Sequence, residues 1–187
     1  MASTGAFGSI WARIYGFLHR NPPSNRVVVD HVGIRPTDRT LDIGCGPGAA
    51  LEYAADKITD GSVTGVDPTQ RFADLAAARV PGARLEVAGA EALPFPDDSF
   101  TVAWSIAAYH HWPDPSAGVA EAYRVLAPSG RFHIAERALD RAAGHGLDPA
   151  GVDELVERFR TAGFQQIHTA RLRAGRKQMV VVSGSVT

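Results

Sequence analysis

Residues 41–48 read Leu-Asp-Ile-Gly-Cys-Gly-Pro-Gly, and no other run constrains the chain as strongly. Glycines at 44, 46 and 48 follow the apolar run 40–43, and a helix-like run begins at Ala49. Glycine has no Cβ, so it takes positive φ and lets a ligand approach the backbone closely. Strand, glycine turn and helix in that order make the layout of a nucleotide-type pocket. Asp67 stands just after the apolar run Val63-Thr64-Gly65-Val66. This is the place, about 20 residues beyond the turn, where a Rossmann-like sheet offers a carboxylate to a ribose.

Composition narrows the partners. The chain has 187 residues, 45% apolar and 21% charged, with a net charge of −1. That suits one domain with a sizeable core and offers no basic field for a nucleic-acid backbone. Arg171, Arg173, Arg176 and Lys177 cluster near the end of the chain and read as a solvated hairpin turn. No apolar run approaches the ~20 residues that span a bilayer, and no signal-peptide pattern opens the chain. The single cysteine, Cys45, excludes an internal disulfide and fits a reducing, cytoplasmic setting. Between two glycines it reads as a small residue at a ligand-facing turn rather than a nucleophile, since no partner motif surrounds it.

The hydrophobic pattern alternates between strand and helix. Phe7, Ile10, Trp11, Ile14, Tyr15 and Leu18 share one helical face, which Asn21-Pro22-Pro23 ends. Residues 1–37 are therefore expected to form an N-terminal helical segment, a lid or packing element, with a second helix from Ser24 to Val32. Strands are predicted at 39–43, 62–66, 84–88, 100–106 and 131–136, with helices at 48–58, 69–79 and 117–126 between them. Asp148-Pro149 reads as an N-cap followed by proline in the first turn, and Gly163 as the end of that helix. Residues 164–171 and 177–183 form the arms of a terminal hairpin. The expected fold is α/β: a Rossmann-like, doubly wound, mostly parallel seven-stranded sheet with a C-terminal antiparallel hairpin, occupying residues 38–187.

Two ligands compete for the glycine turn. Residues 44–49 satisfy G-x-G-x-x-G/A, so a nicotinamide or flavin dinucleotide is one reading, which would make the chain an oxidoreductase. Asp42 opposes it, because a carboxylate beside a pyrophosphate is repelled, and little chain remains for a substrate domain. S-adenosylmethionine carries a sulfonium and an ammonium and no phosphate. Asp42 then favours the ammonium, and Asp67 accepts from the ribose hydroxyls.

Four ordered segments carry a specific resemblance. They are Leu41–Gly48, Gly65-Val66-Asp67, the run Ala90-Glu91-Ala92-Leu93-Pro94-Phe95-Pro96-Asp97-Asp98-Ser99-Phe100, and Arg124-Val125-Leu126-Ala127-Pro128-Ser129-Gly130-Arg131. Together they resemble class I S-adenosylmethionine-dependent methyltransferases, in particular the small-molecule group that includes the ubiquinone and menaquinone C-methyltransferases. The resemblance implies methyl transfer from S-adenosylmethionine to a small-molecule acceptor, releasing S-adenosylhomocysteine. It also implies roles. Asp42, Gly44, Cys45 and Gly46 line the methionine part, with Gly48 shaping the turn. Asp67 holds the ribose, Pro68 and Phe72 lie near the adenine face or sugar, and Gly89 and Ala90 meet the adenine edge. Ser105 and Ile106 sit under the sulfonium and ammonium.

Three positions depart from the group's pattern. Gly89 stands where an aspartate usually accepts from the adenine amino group. Thr101 stands where an aspartate usually follows Ser-Phe, and Ser129 replaces the first of a glycine pair. These departures keep a non-catalytic, cofactor-binding partner subunit in view as an alternative.

The segment after the fourth strand faces the methyl group in this fold. It lacks the Asn-Pro-Pro-Tyr type motif of methyltransferases acting on planar amines. Tyr109 and His110 are the candidates for lining the acceptor pocket, and a histidine near neutral pKa has the properties of a base. The competing reading is that the His-His-Trp segment folds back on the core. Adjacent His110 and His111 are not expected to point the same way, and no third ligand stands at metal spacing, so no metal is predicted. The short connection 137–147 predicts an open acceptor site, closed by the N-terminal helix or by a second subunit of a homo-oligomer.

Overall fold

In the computed structural model, residues 22–141 and 144–187 are described. The expected helix over residues 7–18, with Trp11 and Tyr15, lies outside them. The sheet has seven strands in the order β3-β2-β1-β4-β5-β7-β6. β1 (Arg39–Ile43), β2 (Ser62–Val66), β3 (Arg84–Glu86), β4 (Phe100–Ile106) and β5 (Leu126–Arg137) run parallel, and β7 (Lys177–Ser185) lies antiparallel between β5 and β6 (Gln165–Ala174). The strand order reverses between β1 and β4, which makes their carboxyl ends the crevice of this architecture.

Helices cover both faces, as the β-α alternation requires. α1 (Pro23–Val32), α2 (Ala49–Ala55) and α3 (Gln70–Arg79) bury Val28, Val32, Leu51, Ala54 and Ala76 against Val102 and Trp104. On the other face α4 (Pro115–Val125) and α5 (Pro149–Ala162) pack Val119, Ala122, Leu155 and Phe159 against Leu41, Ile43, Ala103 and Ile134. Residues of one strand alternate between the two cores because strand side chains have period two. Leu41 and Ile43 belong to the α4/α5 core, and Asp42 between them sits in register with Trp104. Phe132, Phe159 and Phe164 form one aromatic cluster, with Phe132–Phe159 stacked at 5.3 Å.

The end signals of α5 are as read from the sequence. The Asp148 side chain accepts the Gly151 N–H, Pro149 occupies the first turn, and Gly163 closes the helix with φ 106°. The basic cluster of residues 171–177 lies exposed on the β6–β7 hairpin.

Boundaries shift at several elements: α4 begins at Pro115 rather than 117, and the hairpin arms β6 and β7 run on to Ala174 and Ser185. α2 stops at Ala55 rather than 58, because the chain leaves the helix at Asp56 toward β2. β3 ends at Glu86, since the next residues leave the sheet for the crevice. β5 begins at Leu126, not 131: Ser129 takes φ 63° and the Phe100/Val102 register shift absorbs the irregularity. Serine thus holds the left-handed conformation expected of the absent glycine.

Thr101 has a structural role. Its hydroxyl donates to Asp38 at 2.8 Å and accepts the Arg39 N–H at 3.0 Å, while Arg131 pairs with Asp38 at 3.1 Å. This network sits at the amino ends of β1 and β4, away from the crevice.

Candidate functional site at the carboxyl ends of the parallel strands

The chain leaves β1 into a turn in which Gly44, Gly46 and Gly48 have φ of 79°, 52° and 81°. The Gly44 and Cys45 N–H groups both donate to the Val66 carbonyl, at 2.8 and 3.0 Å, which fastens the turn to the end of β2. A Cβ on Gly44 would stand 2.5 Å from the Ala108 Cβ, so the segment after β4 rests directly on the turn. A Cβ on Gly46 would meet nothing within 4 Å. Among the described residues the space over Gly46 is thus open down to the backbone.

Asp67 locks the same turn. Its Oδ2 accepts the Gly46 N–H at 3.0 Å and its Oδ1 accepts the Thr69 N–H at 2.9 Å. Each carboxylate oxygen keeps a second lone pair for a ribose hydroxyl. Burial pushes its carboxyl above the usual range, while the Thr69 and Gly46 hydrogen bonds oppose that.

Asp42 is buried, and among the described residues no cation pairs with it. Burial raises its carboxyl to about 7; the facing Trp104 indole N–H partly opposes this and nearby Asp67 reinforces it. The buried Ser105 hydroxyl at the end of β4 has no hydrogen-bond partner among the described residues. A buried carboxylate and an unsatisfied buried hydroxyl at the mouth of one turn fit a ligand that carries an ammonium and a sulfonium.

Cys45 is not an activated thiol. It is buried, its Sγ contacts the Gly46 carbonyl oxygen at 3.6 Å, and burial with the nearby Asp42 and Asp67 carboxylates pushes its pKa well up. Pro68 is exposed directly after Asp67, and Phe72 is half-buried in the first turn of α3.

At the opposite side of the opening, Gly89 and buried Ala90 follow β3. A Cβ on Gly89 would stand 2.6 Å from Glu91 Oε2. The Glu91 carboxylate therefore fills the space that an acidic side chain at 89 would enter. Its Oε1 accepts the Asp114 N–H at 3.3 Å, which anchors the carboxylate. No sequence signal points to Glu91, because its place over Gly89 depends on the fold.

Arg124 stitches two of the four segments together. Its guanidinium donates to the Leu93 and Phe95 carbonyls at 3.1 and 2.8 Å and pairs with Asp97 and Glu121 at 2.7 Å each. The Glu121 carboxylate also accepts the Leu93 N–H at 2.8 Å. The run after Gly89 is thus held against α4 by side chains of that helix.

β4 ends at Ile106, which is half-buried, and Ala107 turns the chain with φ 53° into a 3-10 turn, Tyr109–His111. The two acceptor-end candidates separate here. Tyr109 is buried against Trp112, ring centroids 5.3 Å apart, and its hydroxyl faces Arg158 of α5; burial is the main cause of its raised pKa. It anchors the turn to the core. His110 stays near the surface, with Nδ1 3.0 Å from both oxygens of Glu136, a fully buried carboxylate near the end of β5. Glu136 also accepts the His110 backbone N–H at 3.3 Å. Sequence distance hid this partner.

The expectation about His110 and His111 is corrected. Their rings lie 4.0 Å apart and point to the same side, because a 3-10 turn is short and Tyr109 takes the inward position. His145, from the connection after β5, joins them.

A cleft of about 690 Å³ opens at the other end of the sheet, lined by Ser62, Val80, Pro81, Arg84 and Phe100 among others. It lies at the amino ends of β2–β4 and is not this site. No described helix is long and apolar enough to cross a membrane.

Comparison with known proteins agrees with this geometry. Residues 41–134 match the family described as Methyltransferase domain. The 27-O-demethylrifamycin SV methyltransferase of Amycolatopsis mediterranei is 36% identical over 70% of this chain and 47% of its own length. The ubiquinone/menaquinone biosynthesis C-methyltransferase UbiE of Geotalea daltonii is 36% identical over 68% of this chain and 60% of its own. This chain therefore spans about half of the first relative and three-fifths of the second. The structure of the Burkholderia thailandensis 1,6-didemethyltoxoflavin-N1-methyltransferase, with its substrate and S-adenosylhomocysteine bound, superposes with a TM-score of 0.67. The match covers 88% of this chain and 77% of that one at 24% identity, so it speaks for the fold. The family match, the fold and the arrangement of Asp42, the glycine turn and Asp67 together assign this chain to the class I S-adenosylmethionine-dependent methyltransferases.

Proposed function

We propose that this chain transfers a methyl group from S-adenosylmethionine to a small-molecule acceptor by in-line displacement. The observation that carries the reading is Asp42, a buried carboxylate with no described cation beside a turn whose opening lies over Gly46. S-adenosylmethionine supplies the electrophilic methyl carbon, and the protein supplies position and charge.

Each residue then has a task. Asp42 receives the ammonium, with Gly44, Cys45 and Gly46 lining the methionine part and Gly48 turning the chain into α2. Asp67, already oriented by two backbone N–H groups, accepts from the ribose hydroxyls. Pro68 and Phe72 border the sugar and adenine face. Gly89 and Ala90 admit the adenine edge, and the Glu91 carboxylate accepts from its amino group in place of an acid at 89. Ser105 and Ile106 lie under the sulfonium. His110, oriented by Glu136, faces the acceptor, and Tyr109 holds the turn that carries it. A small acceptor is supported by the short connection after β5, whose ends meet at Ala138 and Leu147, and by the small-molecule names of the relatives.

The test is calorimetry with S-adenosylhomocysteine, followed by a labelled-methyl screen of small-molecule extracts. One molecule bound per chain and a labelled small product are expected. Absence of binding overturns the reading. Binding without any product in extracts overturns catalysis and leaves a cofactor-binding subunit.

A further inference from the structure

We infer that His110, His111 and His145 form a binding site for a borderline divalent cation of the zinc class at the acceptor end of the crevice. One ring nitrogen from each histidine lies within 4.8 Å of the other two. The ring centroids are 4.0 Å apart for His110–His111, 4.8 Å for His110–His145 and 5.4 Å for His111–His145.

Three independent elements build this arrangement. The 3-10 turn after β4 presents His110 and His111 on one side. The connection after β5 returns His145: the Leu139 N–H donates to the Leu147 carbonyl at 2.9 Å, and the Leu147 N–H to the Arg137 carbonyl at 2.9 Å. That closes the neck of the loop two residues from His145. A Cβ on Gly146 would collide with the Arg137 carbonyl, so glycine is required for this return. The third element is Glu136, whose buried carboxylate takes His110 Nδ1.

The Glu136 contact distinguishes the cluster from three surface imidazoles that happen to meet. A metal-bound histidine commonly donates its other ring N–H to a carboxylate, which fixes the tautomer and raises ligand basicity. With Nδ1–H given to Glu136, His110 keeps its Nε2 lone pair for a cation. Three imidazoles with no carboxylate among the ligands favour zinc, nickel, copper or iron over magnesium or calcium. A tetrahedral ion with bonds of about 2.0–2.1 Å spaces its nitrogens at roughly 3.4 Å. Reaching that spacing from within 4.8 Å takes side-chain rotation of His111 and His145, both exposed.

Three protein ligands leave a coordination position for water or for a heteroatom of the acceptor. A cation here would orient a hydroxyl, thiol or amine of the acceptor and favour its deprotonated form. Binding of the ion is independent of the methyl-transfer reading.

The experiment is a zinc titration of the full chain by competition with a chromogenic chelator, with cobalt(II) absorption as a second readout. One zinc per chain is expected, with four- or five-coordinate cobalt bands. His145→Ala and His111→Ala are each expected to weaken zinc binding at least tenfold, and Glu136→Gln about tenfold. His168→Ala, on exposed β6, is expected to change nothing. S-adenosylhomocysteine affinity, measured alongside, is expected to be unaltered in His145→Ala, which shows that the fold persists. Equal zinc binding by the wild type and His145→Ala, or cobalt that keeps its hexa-aqua spectrum, overturns the site. If zinc binds and S-adenosylhomocysteine does not, the metal site stands and the methyl-transfer reading falls.

Discussion

The Asp67 carboxylate accepts the backbone N–H of Gly46 at 3.0 Å, so the residue proposed to hold the ribose also holds the glycine turn. Ribose recognition and turn geometry are therefore one unit. Asp67→Asn turns one acceptor oxygen into a donor that faces an N–H. This leaves a buried donor unsatisfied, at a cost of about 1–3 kcal/mol. We expect a lowered melting temperature together with a loss of S-adenosylhomocysteine affinity of tenfold or more. A variant that loses affinity with an unchanged melting temperature would show that the turn does not depend on this contact.

The glycines of the turn separate stability from binding. Gly44→Ala drives a Cβ into Ala108, whereas Gly46→Ala meets open space. Both carry the left-handed penalty of about 1–2 kcal/mol for an alanine. Gly44→Ala is expected to lower the melting temperature well beyond Gly46→Ala. Gly46→Ala is expected to fold and to lose cofactor affinity by the larger factor. Thermal melts and calorimetry on the two variants test the ordering.

Legibility followed sequence distance. The glycine turn between β1 and α2 was readable because strand, turn and helix follow one another at fixed short spacings. The ends of α5 were readable because Asp148-Pro149 and Gly163 act within one helical turn. What was not readable required chains meeting far apart. Glu136 reaches His110 across 26 positions, and His145 joins only because the Arg137–Leu147 pairing closes the loop. The length of β5 was hidden because Ser129-Gly130 reads as a turn yet is accommodated as an irregularity within the strand.

Glu91 is expected to read the adenine amino group. Glu91→Gln, which places an amide near that amino group, is expected to cut affinity for S-adenosylhomocysteine about fivefold, equivalent to about 1 kcal/mol for one hydrogen bond. Affinity for the 6-oxo analogue, S-inosylhomocysteine, is expected to be equal or better in the variant. The double variant Gly89→Asp/Glu91→Ala, which removes the carboxylate blocking a side chain at 89, is expected to regain adenine preference. Unchanged discrimination in Glu91→Gln would remove Glu91 from the site.

Asp42 makes cofactor binding depend on pH in a defined direction. Its carboxyl is raised to about 7, so below that value the free protein holds it protonated. An ammonium ligand favours the ionised form, and binding releases a proton. Affinity for S-adenosylhomocysteine is therefore expected to rise with pH up to about 7, by at most tenfold per unit, and then to level off. Stability of the free protein runs the other way: a raised carboxyl binds more protons folded than unfolded, so its contribution falls as pH rises from about 4 to about 7. His133, buried and lowered to about 3, has the opposite slope over pH 3 to 6.5, because folding keeps it neutral while the unfolded chain protonates it. The two overlap, so the wild-type stability profile does not isolate Asp42. The difference between wild type and Asp42→Asn cancels His133, which is common to both, and reports Asp42 together with its coupling to Asp67, which burial also raises. That difference is expected to favour the variant increasingly as pH rises toward 7, and the affinity of the variant is expected to be low and flat with pH. A pH-dependent rise in affinity that survives in Asp42→Asn would place the titrating group elsewhere.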